Sequence, residues 1–236
     1  MNFGGNMSEE TKTETAAPKK NNKKLFIIIG ILLVIAAAGS GAWIWHEQPS
    51  FCNAFCHVPM DEYYSTYIAE VGEPTFDKYG NAVSDASGML AATHREAGEG
   101  CLDCHVPTIG EMVSEGLAWI PGSYYFPLSE RSLDELTAAR KLENDEFCMN
   151  KKCHHVSSDG TAIDSREALE AATSDLAFNP HASVHGEFDC ADCHKAHRAS
   201  VNICSSPGCH SDAIIPPGWL DVADSLLLDL YLVDPE

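Results

Sequence analysis

Basic residues are scarce in this 236-residue chain, which has 15 Lys and Arg against 35 Asp and Glu and a formal net charge of −20. Such an acidic surface repels nucleic-acid phosphates, so we exclude nucleic-acid binding. The sequence also lacks a phosphate-binding loop, a Ser/His/Asp set and any long alternation of apolar and polar residues. The sequence therefore gives no indication of nucleotide binding or of a serine nucleophile. The lack of alternation predicts few β-strands.

One long apolar run is present, LFIIIGILLVIAAAGSGAWIW, which extends from Leu25 to Trp45 without a charged residue. As a helix it would be roughly 30 Å long, the thickness of the hydrocarbon core of a bilayer. Four lysines lie within residues 19–24, just before the run. Because positive charge stays on the cytoplasmic side, they predict a cytoplasmic N-terminus and an outer location for everything after Trp45. A cleavable signal peptide is the alternative, since AAAGSGA offers small residues to a signal peptidase.

The ten cysteines fall into five close pairs, and a histidine follows the second cysteine of every pair. We number them as sites 1 to 5 in chain order: Cys52, Cys56 and His57; Cys101, Cys104 and His105; Cys148, Cys153 and His154; Cys190, Cys193 and His194; Cys204, Cys209 and His210.

Three interpretations compete for these pairs. Structural zinc uses cysteine pairs at similar spacing, and disulfides suit a domain outside the cytoplasm. Neither requires a histidine directly after the second cysteine, whereas covalent haem c does: the two thiols form thioethers and the histidine binds the iron. Sites 2 and 4 have the strict C-x-x-C-H spacing, and the others are longer by one or two residues. The recurrence predicts five covalently bound haem c groups.

Each iron also needs a ligand on its far side. Six histidines lie outside the five sites; His46 adjoins the apolar run and is expected at the membrane interface rather than on iron. The others are candidate distal ligands, as is Met60, three residues after His57, although packing explains a methionine equally well. The candidates are Met60, His94, His155, His181, His185 and His197. Such a supply favours six-coordinate electron-carrying haems over an open substrate-binding haem. His155, next to a proximal ligand, is expected to serve a neighbouring haem.

These residues resemble the NapC/NirT/NrfH family of membrane-anchored multihaem quinol dehydrogenases. The resemblance extends from the apolar run to about residue 200 and rests on CNAFCHVPM, CLDCHVP, NDEFCMNKKCH and HASVHGEFDCADCHKAH. It implies a methionine ligand at site 1 and distal roles for His94, His181 and His197. It also implies oxidation of a membrane quinol, menaquinol, and delivery of the electrons to an extracytoplasmic reductase, itself a multihaem protein or a flavoprotein.

Two features depart from that family. The family carries a lysine soon after CHVP that is implicated in the quinol pocket, but TIGEMVSEGLAWIPG has none. Glu111 and Glu115 are therefore the candidate proton acceptors, with solvated surface acids as the alternative interpretation. Site 5 lies beyond the tetrahaem core of the family's short members and is expected to extend the electron path toward a partner.

The expected fold is mostly α with extensive irregular loops, one transmembrane helix and a multihaem cytochrome c domain whose core is largely haem. Helices are predicted at 132–145, 165–178 and 219–233 from apolar spacing, the last packing on the core or on a partner. The expected domains are a disordered cytoplasmic tail (1–24), a transmembrane anchor (25–45), a tetrahaem domain outside the cytoplasm (46–200), and the fifth site with an apolar helix (201–236). An oligomer through the anchor is compatible with this arrangement.

The function predicted from the sequence is a membrane-anchored pentahaem electron relay, at most a quinol dehydrogenase and not an independent substrate reductase. Three alternatives remain at this stage. A cytochrome c3-like carrier would be fed by another redox protein, and CHH after a four-residue spacer occurs in that family too. A multihaem reductase would have its own active haem, and a zinc-stapled adhesion domain would have none.

Overall fold

The computed structural model describes residues 23–55, 57–124, 132–138, 140–150, 153–154, 160–176 and 178–228. The chain forms two compact units, Met1–Ile44 and Trp45–Glu236. Three predictions fall outside the described residues: the tail up to residue 22, Cys56 and His155, together with the side chain of His57.

The apolar run forms one helix, α1 (Lys23–His46), two residues longer at its N-terminus and one at its C-terminus than the predicted span. Its side chains are exposed along its length, and its mean hydropathy of 2.6 over an 18-residue window makes it apolar enough to cross a membrane. A membrane anchor and a signal sequence both have this character.

The second unit is built from short helices joined by irregular loops. The helices are α2 (Pro49–Phe55), α3 (His57–Ile68), α4 (Leu90–Glu96), α5 (Cys101–Cys104), α6 (Ile109–Trp119), α7 (Leu133–Thr137), α8 (Asn144–Cys148), α9 (Arg166–Ala172), α10 (Cys190–Cys193) and α11 (Val222–Ser225). Within the described residues the strands form two short ladders: β1 (Thr75–Phe76) is antiparallel to β2 (Ala82–Val83), and β3 (Val201–Asn202) is parallel to β4 (Leu220–Asp221). The predicted mostly helical, loop-rich fold is confirmed.

The side-chain core of this unit is small. Met89 is fully buried and packs with four other buried apolar residues, which are Val83, Ala86, Ala92 and Ala199. So few apolar side chains cannot stabilise a unit of this size alone, because a small domain needs staples to offset its chain entropy.

The chain after site 4 is held against this core by main-chain hydrogen bonds. Leu90 N–H donates to the Lys195 carbonyl and Ser200 N–H to the Gly88 carbonyl, both at 2.9 Å. Leu220 N–H then donates to the Ser200 carbonyl, also at 2.9 Å, which brings β4 alongside. Segments that are more than 100 residues apart in sequence therefore form one layer.

Two of the predicted helices are shorter than their apolar spacing indicated. Residues 132–145 form α7, which ends at Thr137, and the chain then turns through Lys141 at φ +56° before α8 begins. A left-handed residue cannot continue an α-helix. Within the predicted helix 165–178, the described residues form α9 (Arg166–Ala172), and the helix ends at Ala172.

The predicted C-terminal helix also differs from the structure. Residues 220–221 form β4, α11 covers Val222–Ser225, and residues 229–236 lie outside the described part. Leu226 and Leu227 are 79% and 82% exposed, so these two leucines do not pack on the core as expected.

Candidate haem sites

The two strict C-x-x-C-H sequences each fold as one helical turn. In α5, Gly100 N–H donates to the Asp103 carboxylate at 2.6 Å, and in α10, Asp189 N–H donates to Asp192 at 3.0 Å. An aspartate just before the second cysteine thus caps the turn in both sites. The turn ends where the histidine N–H donates back to the first cysteine of the site.

The loop of site 5 is closed by the same main-chain hydrogen bond, although it has two more residues between its cysteines. The distance from the histidine N to the carbonyl O of the first cysteine is 2.8 Å in site 2, 2.9 Å in site 4 and 3.0 Å in site 5. In site 5 the longer loop closes through Gly208, whose φ of +86° is open to glycine without strain. The stretched C-x4-C-H sequence therefore presents its cysteines and histidine on a loop closed in the same way.

A single large cavity runs through the second unit. It has a volume of about 2890 Å³, far above the ~300–1,000 Å³ typical of a small-molecule site. Eight of the nine described cysteines line it, all except Cys209. Met60, Glu111 and Glu115 also lie on its wall. Space for several large planar groups is therefore present where the thiols are.

The histidines of sites 2 to 5 each face a second histidine at nearly the same distance. Two imidazoles that bind one metal ion from opposite sides, with metal–nitrogen bonds of about 2.0 Å, place their ring centres roughly 6 Å apart. The observed ring-centre distances are 6.3 Å for His105 and His197, 6.2 Å for His154 and His94, 6.4 Å for His194 and His181, and 6.2 Å for His210 and His185.

This spacing fits axial ligation of iron. Every motif histidine whose side chain is described has one of the four described candidate distal histidines opposite it. Burial lowers the pKa of His197 to about 3 and that of His194 to about 4, so both rings are neutral at pH 7. A neutral imidazole keeps one nitrogen lone pair available for a metal. The donor set and its geometry therefore fit haem c.

Zinc and disulfides fit less well. Within the described part of the chain, no three His, Cys, Asp or Glu side chains are grouped so that they could hold a metal ion by themselves. The structure forms no disulfide among the nine cysteines that it describes.

Each site has a thiol near a thiol of the next site in the chain. Burial, and then the neighbouring Cys52, raise the pKa of Cys101 to about 11, so sites 1 and 2 are neighbours. An electrostatic or hydrogen-bonding interaction between two thiols also joins each further pair of consecutive sites. The linked thiols are Cys104 and Cys153 (sites 2 and 3), Cys148 and Cys190 (sites 3 and 4), and Cys193 and Cys204 (sites 4 and 5).

The quinol-site candidates have different surroundings. The Glu111 carboxylate accepts a hydrogen bond from Thr108 N–H at 2.6 Å and closes a capping box at the start of α6. That contact gives Glu111 a structural role in addition to its place on the cavity wall. Glu115, one turn further along, is exposed.

Comparison with known proteins agrees with this geometry. The cytochrome c3 family matches residues 134–211, which include sites 3, 4 and 5. The cytochrome c-type protein Cgr1 of Eggerthella lenta is 51% identical over 189 residues, which cover 80% of this chain and 83% of that protein. No solved structure matches.

The chain belongs to the multihaem c-type cytochromes. The prediction of covalent haem c and of an electron-carrying function is thereby confirmed, and the zinc-stapled adhesion domain is excluded. The family that matches residues 134–211 is cytochrome c3, the alternative to the NapC/NirT/NrfH resemblance.

Three residues of this cytochrome that contact candidate ligands escaped the sequence analysis. Thr66 and Thr173 each place a hydroxyl on the Nδ1 atom of a distal histidine, and the Trp219 ring lies edge-on to His194 at 5.0 Å. No motif or spacing marks them. The isolated tryptophan beyond site 5 was assigned to an apolar helix instead.

Proposed function

We propose that this cytochrome is a membrane-anchored electron carrier that accepts electrons from a membrane quinol and delivers them to an extracytoplasmic reductase. When bound, haem c supplies one-electron chemistry at each site. The residues of the chain fix the attachment points, orient the imidazoles and exclude water from much of the cavity. The observation that carries the proposal is that each site has a thiol near a thiol of the next site.

The ligand set that we propose follows from the site geometry. All ten cysteines form thioethers, and the motif histidines are the proximal ligands. The distal ligands are His197 at site 2, His94 at site 3, His181 at site 4 and His185 at site 5, opposite the rings described above. Met60 is proposed for site 1, where it lies on the cavity wall. This set assigns no iron to His155, which lies outside the described residues and stays a candidate ligand of a neighbouring haem.

Proximity to the membrane supports site 1 as the entry point. Only six residues separate Trp45, at the end of the apolar run, from Cys52. A quinol in the outer leaflet would lose two protons as it is oxidised, and Glu115 is the proton acceptor that we propose, with Glu111 as the second candidate. Both lie on the wall of the cavity that Met60 and Cys52 also line. We propose an outer location for the second unit, because the four lysines before the apolar run favour a cytoplasmic N-terminus.

Reduction of the membrane-embedded holoprotein by a menaquinol analogue tests this proposal. We expect the haem absorption bands to change to the reduced form on addition of the quinol, and Glu115→Gln to slow that change. The matched control is Glu187→Gln, because Glu187 also lines the cavity but belongs to the segment before site 4. If dithionite reduces the haems but the quinol does not, quinol oxidation is refuted while the cytochrome assignment stands.

The second candidate is a carrier fed by another redox protein instead of quinol. The match to cytochrome c3 over sites 3 to 5 favours it. Retention of the intact chain in membranes after high-salt washing would argue against a shuttle, because a protein held only by charge is released by salt. Release of the full second unit, cleaved after α1, would support it.

A further inference from the structure

Two of the four distal histidines are held at Nδ1 by a threonine hydroxyl. The Thr66 Oγ1 atom lies 2.7 Å from His197 Nδ1, and the Thr173 Oγ1 atom lies 3.1 Å from His181 Nδ1. The two threonines belong to different helical segments, so the arrangement arises independently at site 2 and at site 4.

At site 2 the hydrogen positions follow from the neighbours of Thr66. Its side chain is fully buried, and its hydroxyl also lies 2.8 Å from the Tyr63 carbonyl oxygen. A carbonyl only accepts, so the hydroxyl donates to Tyr63. One arrangement then satisfies both contacts: the Thr66 oxygen accepts from His197 Nδ1–H. The lone pair of the His197 ring is left on Nε2.

At site 4 the same conclusion rests on two competing acceptors. The Thr173 hydroxyl lies 2.7 Å from the Leu169 carbonyl oxygen and 2.9 Å from Asn179 Oδ1. Its single proton goes to one of these oxygens, so toward His181 the threonine oxygen accepts from Nδ1–H. Asn179 Oδ1 also accepts from the His181 main-chain N–H at 3.0 Å, which fixes that residue further.

We propose that Thr66 and Thr173 are positioning residues that select the Nδ1–H tautomer of His197 and His181 and so present Nε2 to the iron of sites 2 and 4. This inference rests on the proposed ligation by these histidines. A ligating histidine whose other N–H is held by an acceptor has a fixed ring orientation and greater basicity. A more basic imidazole favours ferric over ferrous iron.

The test is Thr66→Val in the full holoprotein, since valine has the same shape without the hydroxyl. We expect unchanged haem content and one component of the redox titration at a more positive potential, with the ferric preference of that component reduced roughly fivefold, the factor that one hydrogen bond provides. Thr173→Val should move a different component, and Thr66→Ser should restore the original titration.

Thr137→Val is the matched control. Thr137 is also buried, but its hydroxyl donates to the Leu133 carbonyl at 3.1 Å and contacts Asn144 rather than a histidine ring. We expect no shift from it. An unchanged titration in Thr66→Val, or a shift that persists in Thr66→Ser, would overturn the inference.

Failure of the ligation itself would give a separate signal. His197→Ala should convert one haem to a high-spin species in the electron paramagnetic resonance spectrum, because an axial ligand is lost. If every haem stays low-spin in His197→Ala, the proposed pairing is refuted whatever the threonine variants do.

Discussion

Two glycines lie where two main-chain segments of the second unit approach each other closely. A Cβ atom at Gly88 would lie 2.0 Å from the Gly218 carbonyl oxygen, and one at Gly218 would lie 2.0 Å from the Asp85 carbonyl oxygen. Gly218 also has φ of +75°, which favours glycine. Neither contact can be relieved by a side-chain rotation, because both partners are main chain.

We therefore expect Gly88→Ala to lower the free energy of unfolding by roughly 3 kcal/mol, as overpacking against a fixed partner does. Urea unfolding followed by circular dichroism measures it. Gly110→Ala is the control, since its Cβ would meet nothing closer than Thr108 Oγ1 at 3.8 Å. Equal unfolding midpoints for the two variants would contradict the prediction.

The candidate haem-binding residues could be named from the sequence because the attachment motif is local. A histidine directly after a cysteine pair identifies the attachment site without knowledge of the fold. The partner of each motif histidine could not be predicted, because His105 and His197 meet only through packing of segments 92 residues apart. The supporting threonines have no local signal at all.

At the scale of elements, a bidentate ion pair joins α8 to α9. Arg166 Nε and Nη2 each lie 2.6 Å from an Asp145 carboxylate oxygen, and Arg166 Nη1 donates to the Phe188 carbonyl at 3.0 Å. Asp145 precedes Cys148 by three residues and Phe188 precedes Cys190 by two. Arg166 therefore connects the helix of site 3 to the approach to site 4.

Arg166→Lys should weaken this connection, because an ammonium group cannot bind both carboxylate oxygens and the carbonyl at once. The pair is partly exposed, so we expect a loss of about 1 kcal/mol in the free energy of unfolding. A cycle with Asp145→Asn and the double variant measures the coupling. Strictly additive losses would show that the two side chains do not act together.

Apolar spacing overestimated helix length for a physical reason. Leu133, Leu136 and Leu142 fall at helical intervals, yet the chain leaves the helix after Thr137 and turns at Lys141. In a protein whose core is shared with haem, apolar residues face the cavity from loops as well as from helices; Leu136 and Leu142 both line it. Spacing alone does not distinguish these cases.

The whole molecule is strongly acidic, and this charge influences which molecules approach it to exchange electrons. With a formal net charge of −20, the reduced protein attracts cations and repels anions over distances set by the ionic strength. The reductase that we propose as its partner would present a basic surface.

Small charged oxidants test how the charge of the protein affects electron transfer when no protein partner is present. We expect oxidation of the reduced holoprotein by hexaammineruthenium(III), a cation, to slow as salt is added, and oxidation by ferricyanide, an anion, to accelerate. Stopped-flow absorbance at the haem bands gives both rates. A salt dependence of the same sign for the two oxidants would contradict the prediction.

The close approach of Gly88 and Gly218 also limits when the second unit can finish folding. Gly218 follows all five attachment sequences in the chain, and sites 2 to 5 lie between the two glycines, so this contact is made only after all five sequences have been synthesised. A loop of this length closes late in folding, because its two ends can meet only after the whole segment between them has been synthesised. Until then the cysteines remain on an open chain, accessible to the enzymes that attach haem. We therefore expect haem attachment to precede closure of this contact.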